Sequence, residues 1–346
     1  MEAATSLVVE STQRLFADMM SRAAPDGVWS EGWASVEAQG LPLALLSEAQ
    51  GGFGVSVAEA AQIVRLAGAH AVPLPVGEAM VANQALAAAG LPIGDGMVTL
   101  ATGDPQDRLT LARAGEGWRL KGIVHRVPWG RAAAVLLPVL DDQARPRLAL
   151  VAHGAAEVAT DANLALEPRD TLTYDVELSA ASVAAMPEAL DFVLLRAAGA
   201  AMRCLAIAGA AERALEMTVS YANDRTQFGK SIGKFQAVQQ ALAVMTEEVA
   251  ACGAASAMAV EAIGSDWLPI AAAKARCGEA AGLIAATAHQ VHGAIGFSEE
   301  HELHRYTKRL WSWRDEFGSE AEWSLWIGKR VAQQGADRLW SLITAF

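Results

Sequence analysis

The chain reads as an α+β multidomain protein: a helical N-terminal domain, a small β-barrel or sandwich in the middle, and a four-helix bundle at the C-terminus. Three observations predict this order. Apolar residues recur at helical spacing over 1–95, the period shortens toward two over 96–185, and long helical patterns return over 186–346. A chain of 346 residues is also long enough that its core divides rather than growing as one.

In the first domain, Leu7, Val8, Leu15 and Met19 share one helix face, and 58–66 and 78–86 repeat the pattern. Breaks are expected at Pro25, at Gly51-Gly52-Phe53-Gly54 and at Pro73 to Pro75. The middle domain is read from the short runs MVTLAT, LTLARA, WRLKGIVHRV, AAVLLPVL, RLALVA and TLTYDVEL, each bounded by Gly, Asp or Pro. Within it, GEGWRLKG (Gly115 to Gly122) places a glycine-bounded turn before an alternating strand. Helices over 191–224, 235–263, 268–293 and from Ser319 onward then supply the bundle. Their apolar stripes include Leu205, Ala208, Leu215 and Val219 on one helix and Phe235, Val238, Leu242, Met245, Val249 and Cys252 on another. The βαβ alternation, GxGxxG and P-loop of common nucleotide-binding folds are absent from the sequence.

The formal net charge is -12 and the cations are scattered, which argues against a nucleic acid or an anionic membrane as partner. Three widely spaced cysteines make neither a disulfide framework nor a metal set. The N-terminus shows no export signal, so a cytoplasmic location is expected. The apolar run AAGAAMRCLAIAGAA carries an Arg and is too short to cross a bilayer, so it reads as a buried helix.

Two segments could carry chemistry. The stretch Asn223 to Gln236 is a glycine-containing, cationic connection between long helices. It is either a plain interhelical turn, with Phe228 plugging the core, or an anion site built on Arg225. The stretch His289 to Phe297 ends a helix at Gly293 and Gly296, and Gln290 could donate amides. His289 and His292 share a face at i, i+3, but no third ligand accompanies them, so packing histidines are the simpler reading and no metal is expected.

YANDRTQFGKSIGKFQAVQ (221–239) and QVHGAIGFSEEHELHRYTKRLWSW (290–313) closely resemble the two C-terminal signatures of the acyl-CoA dehydrogenase family. The helix, β, helix order is similar too. The resemblance implies that Arg225, Phe228, Gly229, Phe235 and Gln236, completed by Gln290, Val291 and Gly293, hold the ADP part of an FAD across a subunit interface. It also implies an acyl-CoA substrate and an electron-transfer flavoprotein as acceptor.

The chemistry of that family requires a carboxylate base, yet Gly318 stands where its glutamate is usual and Gly199 where some relatives carry it. Glu316 and Glu320 are the candidates for a displaced base, while Ser319 and Glu322 read as a capping box. After TLATGDP the family's flavin-facing segment is not found, and Gly103-Asp104-Pro105 stands as a shortened remnant. The chain thus resembles the noncatalytic member of the heteromeric α2β2 acyl-CoA dehydrogenases of bacterial steroid and bile-acid side-chain degradation, whose partner subunit carries the glutamate. The alternatives are a homomeric enzyme with a relocated base and a flavin-free structural subunit. Small residues at 199 and 318 are expected to leave room for a bulky ring system.

Overall fold

The computed structural model describes residues 7–22, 30–101 and 103–344. The break expected at Pro25, the first six residues and Thr102 of TLATGDP lie outside the described residues. The chain divides into two units, 1–64 with 72–199, and 65–71 with 200–346.

The first unit opens with helices α1 (Leu7–Arg22), α2 (Ser30–Ala38), α3 (Val57–Ala69, which ends in the second unit) and α4 (Val76–Ala89). Residues Val76 to Asn83 of α4 are all buried, and the helix ends at Gly90 in the left-handed conformation that a helix C-terminus favours. The strands follow: β1 (Val98–Leu100), β2 (Arg108–Ala114), β3 (Gly117–Pro128), β4 (Ala134–Leu140), β5 (Pro146–Val151), β6 (Glu157–Ala159), β7 (Arg169–Leu178) and β8 (Val183–Ala185). They form two four-stranded sheets, β1-β4-β5-β8 and β2-β3-β7-β6, in which β1 and β4 pair in parallel. The inward rows share one core containing Trp118, Leu120, Val135, Leu137, Leu172 and Tyr174, which makes the middle region a sandwich. Its GEGWRLKG segment is the expected hairpin, with Ala114 paired to Gly117 around Gly115 at φ 59.

The second unit contains α5 (Phe192–Asp224) from residue 200, strands β9 (Thr226–Gln227) and β10 (Lys230–Ser231), then α6 (Gln236–Glu261), α7 (Trp267–His292), α8 (Leu303–Trp313), α9 (Glu320–Gln334) and α10 (Leu339–Ile343). α8 adds a helix that the periodic reading did not separate from the segment before it. The last predicted helix stops at Gly335, φ 84, before a short helical tail. By length and composition α5 and α6 could each cross a membrane. Within its most apolar window α5 is 78% buried inside the protein, whereas α6 is only 33% buried.

The end of α3 crosses α5 backbone to backbone. A Cβ at Gly209 would overlap the carbonyl oxygen of Arg65, and one at Gly68 would overlap that of Ala206, so only glycine allows this approach. Arg65 and Glu212 add an ion pair at the same crossing. Gly209→Ala is expected to lower stability by about 1–3 kcal/mol through overpacking. Gly328→Ala, in α9 with open space around it, should instead gain up to about 1 kcal/mol of helix propensity. Thermal midpoints of the two variants measure both effects.

Candidate functional site

α6 and α7 have equal lengths and are joined by the short turn 262–266, so they run antiparallel. Arg276 pairs with Glu248 at 2.6 Å and Cys277 Sγ donates to the Cys252 carbonyl at 3.8 Å, which fixes that register. The N-terminus of α6 therefore lies beside the C-terminus of α7. The C-terminus of α5 reaches the same place, because Tyr221 stacks on His292 with ring centroids 4.5 Å apart and planes 22° from parallel. All eight residues expected at a cofactor site thus gather at one end of the bundle.

Between α5 and α6 the chain forms a two-residue hairpin in which Lys230 pairs with Gln227 and Ser231 with Thr226. Its tip residues, Phe228 at φ 51 and Gly229 at φ 78, are both left-handed, as a type I′ turn requires. Glycine adopts this conformation freely, but phenylalanine is strained in it by about 1 kcal/mol or more. Phe228 does not plug the core, as the plain-turn reading expected: it is 91% exposed. The turn geometry points it outward, and its only ring neighbour among the described residues is Phe235, edge-on at 6.2 Å. Lys230 Nζ lies 4.2 Å above the Phe235 ring.

Arg225 is held by its backbone. Its amide donates to the Tyr221 carbonyl at 2.9 Å and its carbonyl accepts from the Ile232 amide at 2.8 Å. The side chain is exposed and has no ion-pair or hydrogen-bond partner among the described residues. Gln236, the first residue of α6, is exposed as well. On the other segment Gln290 is exposed, Val291 half-buried, and Gly293 takes φ 63, ψ -141, a region open essentially to glycine. An exposed guanidinium on a held backbone, two free side-chain amides and an outward aromatic ring offer what an ADP moiety requires of a protein.

The neighbouring histidines are packing residues. His289 is stacked between Phe297 at 4.3 Å and Trp311 at 5.4 Å, with Nε2 bonded to Thr307 Oγ1 at 2.9 Å. Burial lowers the pKa of both His289 and His292. No cluster of metal-ligating side chains occurs among the described residues.

Where the resemblance places the usual base, the chain makes a tight turn between α8 and α9. Phe317 has φ 55 and Gly318 φ 104. A Cβ on Gly318 would lie 2.6 Å from Trp323 Nε1, which donates to the Phe317 carbonyl at 3.0 Å. The space expected to be open at residue 318 is thus filled by the Trp323 indole. From the other side the fully buried Lys274 donates to the Arg314 carbonyl at 2.5 Å and the Gly318 carbonyl at 2.8 Å. Burial pushes its pKa down to about 8, against the pull of nearby Glu316 and Asp315.

Both candidate displaced bases are engaged. Glu316 accepts from Arg203 Nε at 2.7 Å, both side chains being nearly buried, and Glu320 pairs with Arg314. Ser319 caps α9, its Oγ accepting from the Glu322 amide at 3.3 Å. Gly199 is buried within α5. In the first unit, the remnant after TLATGDP is bound down: Asp104 pairs with Arg126 at 2.7 Å, and Asp107 accepts from the His125 amide at 2.8 Å. Both partners stand at a bulge of β3 between Val124 and Val127. Sequence reasoning missed Lys274, Trp323 and the stacking of Tyr221, because a lone Lys, Trp or Tyr in a helical pattern carries no local signal of its partner.

Residues 196–321 match the family model described as acyl-CoA dehydrogenase, C-terminal domain. The acyl-CoA dehydrogenase IpdE2 of Mycobacterium tuberculosis is 30% identical over 276 residues, covering 79% of this chain and 77% of the relative. The fold is similar to that in the crystal structure of the ChsE4-ChsE5 complex from Mycobacterium tuberculosis, with a TM-score of 0.83 at 24% identity, over 97% of this chain and all of that one. A variant of the Tcur3481-Tcur3483 steroid ACAD gives a TM-score of 0.84 at 24% identity, over 94% and 97%. The chain belongs to the acyl-CoA dehydrogenase family.

Two tests follow from the turn. Gly318→Glu should leave the isolated chain without dehydrogenase activity and lower its thermal midpoint, because a side chain there displaces Trp323 and strains the backbone. A flavin-bleaching variant of unchanged stability would contradict this account. Lys274 has a folded pKa below its unfolded value of 10.5. Its charged burial therefore costs stability below about pH 8, and that cost is relieved as pH rises toward 10.5. Denaturant titrations across this window should show the wild type gaining stability relative to Lys274→Met; a constant difference would rule out a titrating ammonium.

Proposed function

We propose that the chain is the base-lacking subunit of an FAD-dependent acyl-CoA dehydrogenase that α,β-desaturates an acyl-CoA thioester with a bulky, steroid-type acyl group. The observation that carries the reading is the Gly318 turn, where the family's base position is closed by Trp323 and Lys274. A partner subunit then supplies the glutamate. The likeness to a steroid ACAD and to a two-component complex supports the substrate class and the heteromer. The assembly is an α2β2 heterotetramer in the cytoplasm, handing electrons to an electron-transfer flavoprotein.

FAD is the cofactor of the family, and when bound it accepts the hydride from the β carbon. The residues of this chain bind and orient it. Arg225 would meet the pyrophosphate by charge-assisted hydrogen bonds, Gln236 and Gln290 would offer amide donors, and Phe228 and Phe235 would offer apolar surface. Gly229, Val291 and Gly293 keep the surrounding backbone close and unobstructed. The proton is abstracted by the partner, because Glu316 and Glu320 are paired with Arg203 and Arg314.

The deciding measurement is the visible flavin spectrum of this chain, alone and co-purified with an acyl-CoA-dehydrogenase-like protein encoded beside it. A colourless chain and a yellow complex that bleaches with a steroid acyl-CoA is the expected result. A chain that is yellow and bleaches alone overturns the assignment. In the complex, Arg225→Ala should weaken FAD binding roughly 10- to 100-fold, the worth of one hydrogen bond to a charged group.

A further inference from the structure

The two segments of the candidate cofactor site belong to different helices, and a ring contact joins the end of α5 to the end of α7. Tyr221, in the last turn of α5, lies on His292, the last residue of α7. His301 closes a third side, 4.7 Å from the His292 ring and 6.2 Å from Tyr221, edge-on to the latter. Arg225 follows Tyr221 by one helical turn and is bonded to its carbonyl. Gly293 follows His292 directly. The separation of these rings therefore sets the separation of the Arg225 and Gly293 backbones.

His292 is 3% exposed, and its Nδ1 lies 2.8 Å from the Ala288 carbonyl. That nitrogen must carry the proton, so a neutral ring leaves Nε2 as an acceptor, and Nε2 is buried with no hydrogen-bond partner. The groups facing the ring are Tyr221 from α5, His301 from the segment before α8 and His289 from its own helix, and none of them is an acid. Two effects then compete when the ring takes up a second proton. The Tyr221 face would attract an imidazolium. Burial of the charge opposes it, and burial is the larger effect, since the His292 pKa lies below 6.5.

We propose that the neutral Tyr221–His292 stack is the positioning joint of the cofactor end, holding Arg225 and Gly293 at the spacing an FAD pyrophosphate and adenosine need, and that protonation of His292 loosens it. This inference rests on the proposed FAD-binding role. Because His292 stays neutral in the fold where a free histidine would already be charged, the joint loses stability as pH falls through 6.5 toward the lowered value.

The test is FAD affinity, by fluorescence titration of the flavin-stripped protein in whichever assembly binds FAD, from about pH 8 to about pH 5. Tyr221→Phe keeps the ring pair and should bind FAD as the wild type does. His292→Ala should bind at least about 10-fold more weakly at neutral pH, a loss of ~1.4 kcal/mol. His292→Phe keeps a ring that cannot be protonated, so it should retain affinity at the acid end, where the wild type loses it. Its folding, checked by circular dichroism, also covers the case in which the alanine variant does not fold. Identical pH profiles for the wild type and His292→Phe would overturn the proposal, as would a folded His292→Ala with full affinity. Arg225→Ala separates the two failures. If it also leaves FAD affinity unchanged, the cofactor role itself is wrong; if it weakens binding while the His292 variants do not, only the joint is.

Discussion

A fully buried ammonium fixes the turn on which the functional reading depends. Lys274 reaches the Arg314 and Gly318 carbonyls from the third turn of α7, and burying its charge is costly enough to bring its pKa down to about 8. Those two carbonyls are the return for that cost, and they dictate the path of residues 314–318. Phe317 and Gly318 must both turn left-handed for the second carbonyl to face the lysine. The same path brings Trp323 over Gly318. Gly318, the residue at which the resemblance places the usual base, is therefore one part of a packed unit comprising Lys274, Phe317, Gly318 and Trp323.

α7 carries both halves of the molecule's character. Its third turn holds the lysine that bonds the Gly318 turn, and its last turn holds His289, Gln290 and His292 at the candidate cofactor end. The two regions are between four and five turns apart, roughly 25 Å at 1.5 Å per residue, so each can be built independently of the other. The small residues that line the buried face of α7, among them Ala271, Ala273, Gly278, Ala281 and Ala285, let its neighbours approach closely along that whole length.

Much of this was legible in the sequence because periodicity reports burial. The period-two runs became β1 to β5 and β7, and the long apolar patterns became α5, α6 and α7, since each pattern follows from one side of the element facing a core. The short strands β6 and β8 were not legible: β6 is exposed throughout and β8 only partly buried, so neither carries the continuous apolar run that marked the equally short β1. α8 was hidden because its buried face includes Thr307 and Arg309, polar residues that break an apolar stripe. At the candidate site, glycines marked the turn at 229 and the helix end at 293, whereas the turn at Gly318 was not read. What they made room for was legible only in part. Gly318 suggested space for a substrate and instead accommodates an indole, because a missing Cβ says nothing about which neighbour takes its place.

Phe228 shows how the cofactor end and the subunit reading bear on each other. A phenylalanine in the left-handed region with 91% of its surface in water is unfavourable twice over, through backbone strain and through exposed apolar area. Beside it stands an Arg225 guanidinium with no partner among the described residues, and α6, which begins eight residues further on, is apolar yet only one-third buried in its most apolar window. Any one of these is ordinary on a protein surface. Together, on one edge of one bundle, they describe a surface whose free energy falls when an anionic, partly apolar group and a second protein face cover it. A flavin dinucleotide held between two subunits meets both conditions at once, whereas a flavin-free structural subunit would leave the guanidinium and the strained ring without a reason to persist.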